Sequence, residues 1–244
     1  MSDTVYRRVP NEMRHSDSVQ LSGDTQLHIL TLVIGADYRK ALEKCLESKR
    51  SYAEKHGYVY IQGDEQFWDR TKPIAWSKIP FILSALQKIP EGALVWLSDA
   101  DVLITNPSLK VETQMLPHLP SDKDFLWTQD ACGNINSGNC LFRNTSWARD
   151  FWKRVGEQKQ FTYHIWWENA GMIYLMQTNQ EDAVKMIITK KHKLFNAYVK
   201  GLPNEPLWEP GDFLVHFAGV YDLKVMDQLA TDILNGKVPR LSLQ

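Results

Sequence analysis

Leu94-Val95-Trp96-Leu97-Ser98-Asp99-Ala100-Asp101 decides the reading of this 244-residue chain. The apolar run reads as a buried strand, and at its end two carboxylates stand one residue apart. Ile104-Thr105-Asn106-Pro107 follows as a turn signal that stops the strand and leaves the acids at a mouth. Residues i and i+2 of an extended segment point the same way, so Asp99 and Asp101 are expected to serve one small site. Two hard oxygen ligands at the open end of a strand suit Mg²⁺ or Mn²⁺ held together with a substrate diphosphate. Taken alone, the same D-x-D also reads as a solvated acidic turn.

Outward from this run, the pattern is that of an open α/β sheet. His28 to Ile34 is strand-like and stops at Gly35; apolar positions at Leu42, Cys45, Leu46, Tyr52 and Ala53 then mark a helix over 38–54, closed near Gly57. Tyr58-Val59-Tyr60-Ile61 is a second strand, which makes a strand–helix–strand unit and the start of a parallel sheet. A helix over 76–88 leads into the acidic strand, with Pro80 near its start, where proline is tolerated. Open α/β sheets bind ligands outside the carboxyl ends of their strands, where Asp99 and Asp101 fall. Beyond Pro107, strands are predicted at 125–128 and 140–142 around a Gly/Asn-rich loop, 133–138. A helix follows, capped by Thr145, then a helix at 169–177, strands at 185–189 and 212–217, and a last helix at 220–234. The expected architecture is a polar extension, 1–26, before one α/β domain, 27–244. That domain has a mixed, mostly parallel central sheet, a nucleotide and metal half to about 107, and an acceptor half beyond.

Bulk composition excludes several classes. A net charge of −1 without a long basic run argues against nucleic acid as a partner. No 18 consecutive apolar residues mark a membrane span, and the first 26 residues have no signal-peptide core, so a soluble, cytoplasmic protein is expected. Met1 argues against trimming; a Golgi lumen location would need a removed anchor. Cys45, Cys132 and Cys140 have no C-x-x-C spacing and read as reduced thiols. The aromatic content includes Trp166-Trp167 beside Glu168, where flat faces can be core or can stack on sugar rings.

Four further segments supply what a metal–diphosphate site needs. In Gly211 to Gly219, His216 ends an apolar strand and is followed by small residues; its imidazole would complete the ligand set and favour Mn²⁺, or it is a core histidine bonded to backbone. Asn136-Ser137-Gly138 can bind ligand hydroxyls or make a hairpin. Glu168-Asn169 can orient a sugar or simply start a helix. Lys78 can meet phosphate or lie on a solvated face.

In order, these pieces resemble the signature of glycosyltransferase family 34, the fungal galactosyl/mannosyltransferase and plant xyloglucan xylosyltransferase group. They are Lys49…Tyr52…His56-Gly57-Tyr58, Trp76-Ser77-Lys78-Ile79-Pro80, Asp99-Ala100-Asp101 and Asn136-Ser137-Gly138…Phe142-Arg143-Asn144. Trp167-Glu168-Asn169…Tyr174-Leu175, Phe195-Asn196-Ala197-Tyr198 and His216-Phe217-Ala218-Gly219 complete the series. The resemblance implies a GT-A fold, a nucleotide-sugar donor, and Mn²⁺ (or Mg²⁺) on Asp101 and His216. Asp99 would touch the ribose or donor sugar and help hold the metal. Thr31, Gly35, Lys78, Asn136, Ser137, Gly138 and Gly219 fall with the donor-binding residues. The family usually carries Gln at the position of Asn169, under the anomeric carbon, and often a Lys at the position of Tyr221, for which Lys224 is the nearest substitute.

The chemistry expected is transfer of a hexose or pentose from a UDP-sugar, or from GDP-mannose, to a glycan hydroxyl. The resemblance favours retention. Negative charge grows on the leaving oxygen, which a cation stabilises, while Asp130, Glu168 and Asn169 are candidates to face the oxocarbenium-like sugar; Asp130 could instead be the base of an inverting reaction. Two other readings compete: a metal-dependent phosphohydrolase of nucleotide-sugar-like diphosphates, and a carbohydrate-binding protein without catalysis.

Overall fold

Three apolar runs form the parallel half of a six-stranded sheet in the computed structural model, which describes residues 26–130, 133–202 and 205–241. Cys132 and all but Gln26 of the expected polar extension lie outside the described residues. The strand β1 (Leu27–Leu32) runs between β2 (Val59–Gly63) and β3 (Leu94–Ser98), parallel to both. The helices α1 (Ala36–Ala41) and α2 (Glu43–His56) connect β1 to β2, and α3 (Lys78–Leu86) precedes β3. The single helix expected over 38–54 is thus two. Leu42 leaves helical geometry at φ −101° and ψ 12°, although the hydrogen-bond ladder continues through it, from Leu42 N–H to Tyr38 O and from Leu46 N–H to Leu42 O.

The chain then reverses through β4 (Val102–Ile104) and α4 (Val111–Gln114) to reach β5 (Phe125–Gln129) and β6 (Ile135–Arg143). Next come α5 (Ser146–Gly156), α6 (Trp167–Thr178), α7 (Gln180–Val184), β7 (Met186–Thr189), β8 (Ala197–Tyr198), β9 (Leu214–His216) and α8 (Leu223–Leu234). Thr145 caps α5 as expected, its hydroxyl accepting from Ala148 N–H, and Asp222 caps α8. The main sheet has the order β2-β1-β3-β6-β5-β7. Only β6 is antiparallel to its neighbours, so the sheet is mixed and mostly parallel. A second sheet, β4-β9-β8, stands beside it. The sequence reading did not foresee β4, because three residues behind a turn carry no period.

Alternate residues of the strands feed opposite faces. Leu30, Val95, Leu97, Phe125, Trp127, Cys140 and Phe142 pack under α3, α5 and α6, while Leu27, Ile29, Leu94, Trp96, Leu126 and Leu141 face the other way. Most tryptophans belong to this core: Trp76, Trp96, Trp127, Trp152 and Trp208 are buried, whereas Trp166 and Trp167 are each 40% exposed. No described helix is long and apolar enough to cross a membrane.

Candidate active site

The acids at the end of β3 converge for a different reason from the two-residue strand period. Asp99-Ala100-Asp101 is a tight turn in which Val102 N–H donates to Asp99 O at 3.2 Å, so the chain reverses straight into β4. Lys49 of α2 holds this turn from beneath. Its side chain is fully buried, and its ammonium donates to Ala100 O at 3.1 Å and Val102 O at 2.6 Å. Burial pulls the Lys49 ammonium down to about 8, against the opposing pull of Cys45, Asp101 and Asp99.

The strand β9 pairs with β4, Val102 opposite His216, and so brings the imidazole to the turn. His216 Nε2 lies 3.3 Å from Asp101 Oδ1. Asp99, Asp101 and His216 each offer a ligand atom, all within 4.8 Å of one another. Burial by itself would raise the Asp101 carboxyl, but the charge and hydrogen bond of His216 and the charge of Lys49 hold it below the usual range. Two carboxylates and one imidazole form an oxygen-rich set that fits Mn²⁺.

The strand β6 supplies the opposite wall through a break in its register. Trp127 pairs with Cys140 but Thr128 with Asn136, which leaves Ser137, Gly138 and Asn139 between partners of adjacent residues. The expected loop at 133–138 is therefore largely strand, interrupted by this bulge. Gly138 O accepts from Asp99 N–H at 2.7 Å. A Cβ at Gly138 would lie 2.4 Å from His216 Cε1 and 2.9 Å from Asp99 Oδ2, so only glycine leaves the space between these groups open.

A second charged group closes the site. The Lys78 ammonium lies 2.9 Å from Asp99 Oδ1 and 3.1 Å from Glu168 Oε1. Burial alone would lower the Lys78 ammonium; the two carboxylates outweigh it and hold it above its ordinary value. Ser137 Oγ donates to Glu168 Oε1 at 3.2 Å, and Asn169 Nδ2 donates to Ile135 O at 3.0 Å. The remaining oxygens, Glu168 Oε2 and Asn169 Oδ1, are buried and have no hydrogen-bond partner. Unpartnered buried acceptors are costly to folding and commonly mark a functional site. Just before them, Trp167 adopts φ +42°, a left-handed conformation unusual for a bulky residue.

Other expected site residues have surroundings of their own. The Thr31 hydroxyl donates to Ser98 O at 2.9 Å, and Gly35 N–H donates to Glu65 Oε1 at 2.9 Å. Asn136 Oδ1 accepts from Gly138 N–H at 2.9 Å and shapes the bulge. Asp130 Oδ1 accepts from Asn134 N–H at 2.8 Å, closing its own turn. Lys224 is exposed on the first turn of α8, where its ammonium makes no hydrogen bond or ion pair among the described residues, and Tyr221 is exposed too. The sequence reading missed Lys200, whose ammonium donates to Gly219 O at 2.6 Å and so lies beside the turn that follows His216. It missed Asn139 as well, and named Asn196 only within a pattern; a buried amide has no sequence signal apart from its neighbours.

An α/β fold of this strand order gathers two acids, an imidazole and a lysine at the end of β3. Two solved structures share the fold. A glycosyltransferase involved in glycosylation of the major capsid of PBCV-1 aligns with a TM-score of 0.62 at 15% identity, over 84% of this chain and 98% of that one. The galactosyltransferase LgtC, in complex with donor and acceptor sugar analogs, aligns with a TM-score of 0.52 at 12% identity, over 88% and 97%. The fold is GT-A. Residues 28–121 and 117–224 match the galactosyl transferase GMA12/MNN10 family, and the chain belongs to that family, glycosyltransferase family 34. An uncharacterised alpha-1,2-galactosyltransferase of Schizosaccharomyces pombe is 28% identical over 220 residues, covering 72% of this chain and 55% of its own. A probable alpha-1,6-mannosyltransferase of Saccharomyces cerevisiae is 25% identical, covering 51% and 39%. A probable xyloglucan 6-xylosyltransferase of Arabidopsis thaliana is 23% identical, covering 73% and 46%. The chain thus spans about half the length of the curated relatives it matches.

Proposed function

We propose that this protein transfers a hexose or pentose from a nucleotide-diphosphate sugar, UDP-linked by preference, to a glycan hydroxyl with retention of configuration. The observation that carries this reading is the cluster of Asp99, Asp101 and His216, set beside the unpartnered oxygens of Glu168 and Asn169. Asp101 and His216 would hold Mn²⁺, with Asp99 shared between the metal and the donor. When bound, the metal neutralises the diphosphate and stabilises its leaving oxygen. Lys78 is paired with Asp99 and Glu168, and it can turn an N–H toward a phosphate oxygen when the donor enters. Lys200 would grip the diphosphate in place of the lysine absent at Tyr221.

In the transfer, the bond from the anomeric carbon to the β-phosphate oxygen breaks and one to the acceptor oxygen forms. The acceptor proton passes to the departing diphosphate. Glu168 Oε2 and Asn169 Oδ1 face the positive charge that develops on the sugar, and a preorganised acceptor costs no reorganisation at that moment. Exposed Trp166 and Trp167, which precede them directly, offer flat faces for an acceptor sugar.

The test is product formation from UDP-galactose, UDP-xylose, UDP-glucose and GDP-mannose against a panel of glycan acceptors, with Mn²⁺, Mg²⁺ or EDTA. The expected result is acceptor-dependent release of UDP that EDTA abolishes, with the anomeric configuration kept in the product. Equal hydrolysis with and without acceptor would identify a phosphohydrolase. Sugar binding unaffected by EDTA, with no turnover, would identify a binding protein.

A further inference from the structure

We infer that a relay of buried amides, starting at the Trp96 indole and passing through Asn139 and Asn196, fixes a proton on Nδ1 of His216, so that Nε2 is the ring atom left to offer a lone pair to a metal. The inference deepens the metal reading and rests on it for its purpose, though the tautomer is a property of the metal-free protein. An indole N–H can only donate. Trp96 Nε1 lies 3.1 Å from Asn139 Oδ1, which fixes the direction of the Asn139 amide. Asn139 Nδ2 must then meet an acceptor, and it finds Asn196 Oδ1 at 3.1 Å. The Asn196 amide is thereby fixed too, and its Nδ2 donates to Thr128 Oγ1 and Tyr198 OH, both at 2.8 Å.

The same Asn196 Oδ1 lies 2.7 Å from His216 Nδ1. An amide oxygen has no proton to give, so Nδ1 must carry one. Asn196 then uses both lone pairs and both amide hydrogens, and nothing in its inventory is left over. Trp96, Thr128, Asn139 and Asn196 are all 0% exposed, so no bulk water can replace a partner if an amide turns over. Turning either amide would bring two donors face to face in a dry interior.

The consequence falls on Nε2. A neutral imidazole has one lone pair, and only the tautomer protonated on Nδ1 offers it at Nε2, the atom that faces Asp101 at 3.3 Å. A histidine that ligates metal usually donates its other ring N–H to an oriented acceptor, which sets both ring angle and basicity. Asn196 is therefore a positioning residue that acts through His216, and Asn139 and Trp96 act through Asn196. The relay also gives a physical role to Phe195-Asn196-Ala197-Tyr198, for which the transfer chemistry alone has none.

The experiment is two-bond ¹H–¹⁵N correlation NMR of the metal-free protein at about pH 8.5, above the ordinary imidazole range. The signal is assigned among the seven histidines by its loss in His216→Gln. The expected spectrum shows His216 protonated at Nδ1, whether or not Nε2–H also donates to Asp101. Asn196→Asp keeps an acceptor for Nδ1 and should preserve that pattern. Asn196→Leu should lose it and weaken Mn²⁺ binding, read by calorimetry, by about 10–100-fold. Trp96→Phe keeps the ring but removes the fixed donor, and should give mixed tautomers in a protein that still unfolds cooperatively. A wild-type spectrum with Nδ1 bare overturns the inference, as does an Nδ1 proton kept in both Asn196→Leu and Trp96→Phe. If the spectrum is as expected but wild type binds no Mn²⁺, the relay stands and the metal reading falls.

Discussion

Replacing Gly138 by alanine tests the geometry of the site with a single methyl group. Gly138 lies in β6 and no left-handed φ is required there, so alanine brings no backbone strain of its own. The whole effect is contact. The new carbon would sit 2.4 Å from His216 Cε1, more than an ångström inside the optimal carbon–carbon separation of about 3.5 Å. It would also lie 2.9 Å from Asp99 Oδ2 and 3.0 Å from Asn136 Oδ1. His216 cannot retreat freely, since its Nδ1 is tied to Asn196 at 2.7 Å and the ring is 4% exposed. Overpacking of this kind costs about 1–3 kcal/mol, which for a chain of this length lowers Tm by roughly 2–4 °C per kcal/mol. The displaced imidazole should weaken Mn²⁺ binding about 10–100-fold, as loss of ligand orientation does elsewhere. The assay is thermal unfolding of the metal-free protein together with calorimetric Mn²⁺ titration. A Gly138→Ala variant with unchanged Tm and unchanged Mn²⁺ affinity would refute the placement of His216 and Asp99 around this strand.

Other perturbations separate the roles of individual groups. Asp101→Asn keeps the shape but removes the charge; it should reduce Mn²⁺ affinity by about 100-fold or more and abolish metal-stimulated transfer, and unchanged electron paramagnetic titration would show that Asp101 is no ligand. Lys49→Met isolates a pH effect. With a folded value near 8 and an unfolded one near 10.4, the folded protein gives up the proton first. Wild type should therefore gain stability relative to the variant as pH rises from about 8 to 10, by up to about 1.4 kcal/mol per pH unit. Urea titrations of both proteins at several pH values measure this, and a gap that narrows or stays constant contradicts it. Arg154 forks onto the fully buried Asp182, Nη1 to Oδ2 at 2.5 Å and Nη2 to Oδ1 at 2.6 Å. Arg154→Met should cost about 3–5 kcal/mol, because it strands a buried carboxylate; chemical denaturation reads the loss, and the double variant with Asp182→Leu should recover much of it.

The GT-A architecture was legible because its parallel strands carry continuous apolar runs and its helices carry a 3.6-residue face, both of which survive without tertiary context. The elements that escaped are short or irregular. The three-residue β4 has no period to read, and the bulge at Ser137–Asn139 appears only when β5 and β6 pair. Asp99 and Asp101 lie close together, yet through a turn, not through the two-residue repeat of a strand. For the candidate site, residue type was informative where the chemistry is strong. Asp99, Asp101, His216, Lys78, Glu168 and Asn169 do come together, from four separate segments. Thr31, Gly35 and Asp130 each hydrogen-bond neighbouring backbone or side-chain atoms, contacts that their positions in the sequence do not reveal.

The sequence by itself determined the sheet, the acidic strand end and the membership in a family whose segments keep their order, because local periodicity and residue identity are properties of the chain. Only the tertiary structure decided which groups are free to act. Whether a hydroxyl or amide is consumed depends on atoms brought near from distant parts of the chain: Ser98 for Thr31, Glu65 for Gly35, Asn196 for His216. The acids at the end of β3 meet the His216 imidazole only because β9 pairs with β4 and Gly138 leaves out a side chain. Coordination and hydrogen bonding are fixed within a few tenths of an ångström, and the order of residues along a chain does not carry distances of that kind.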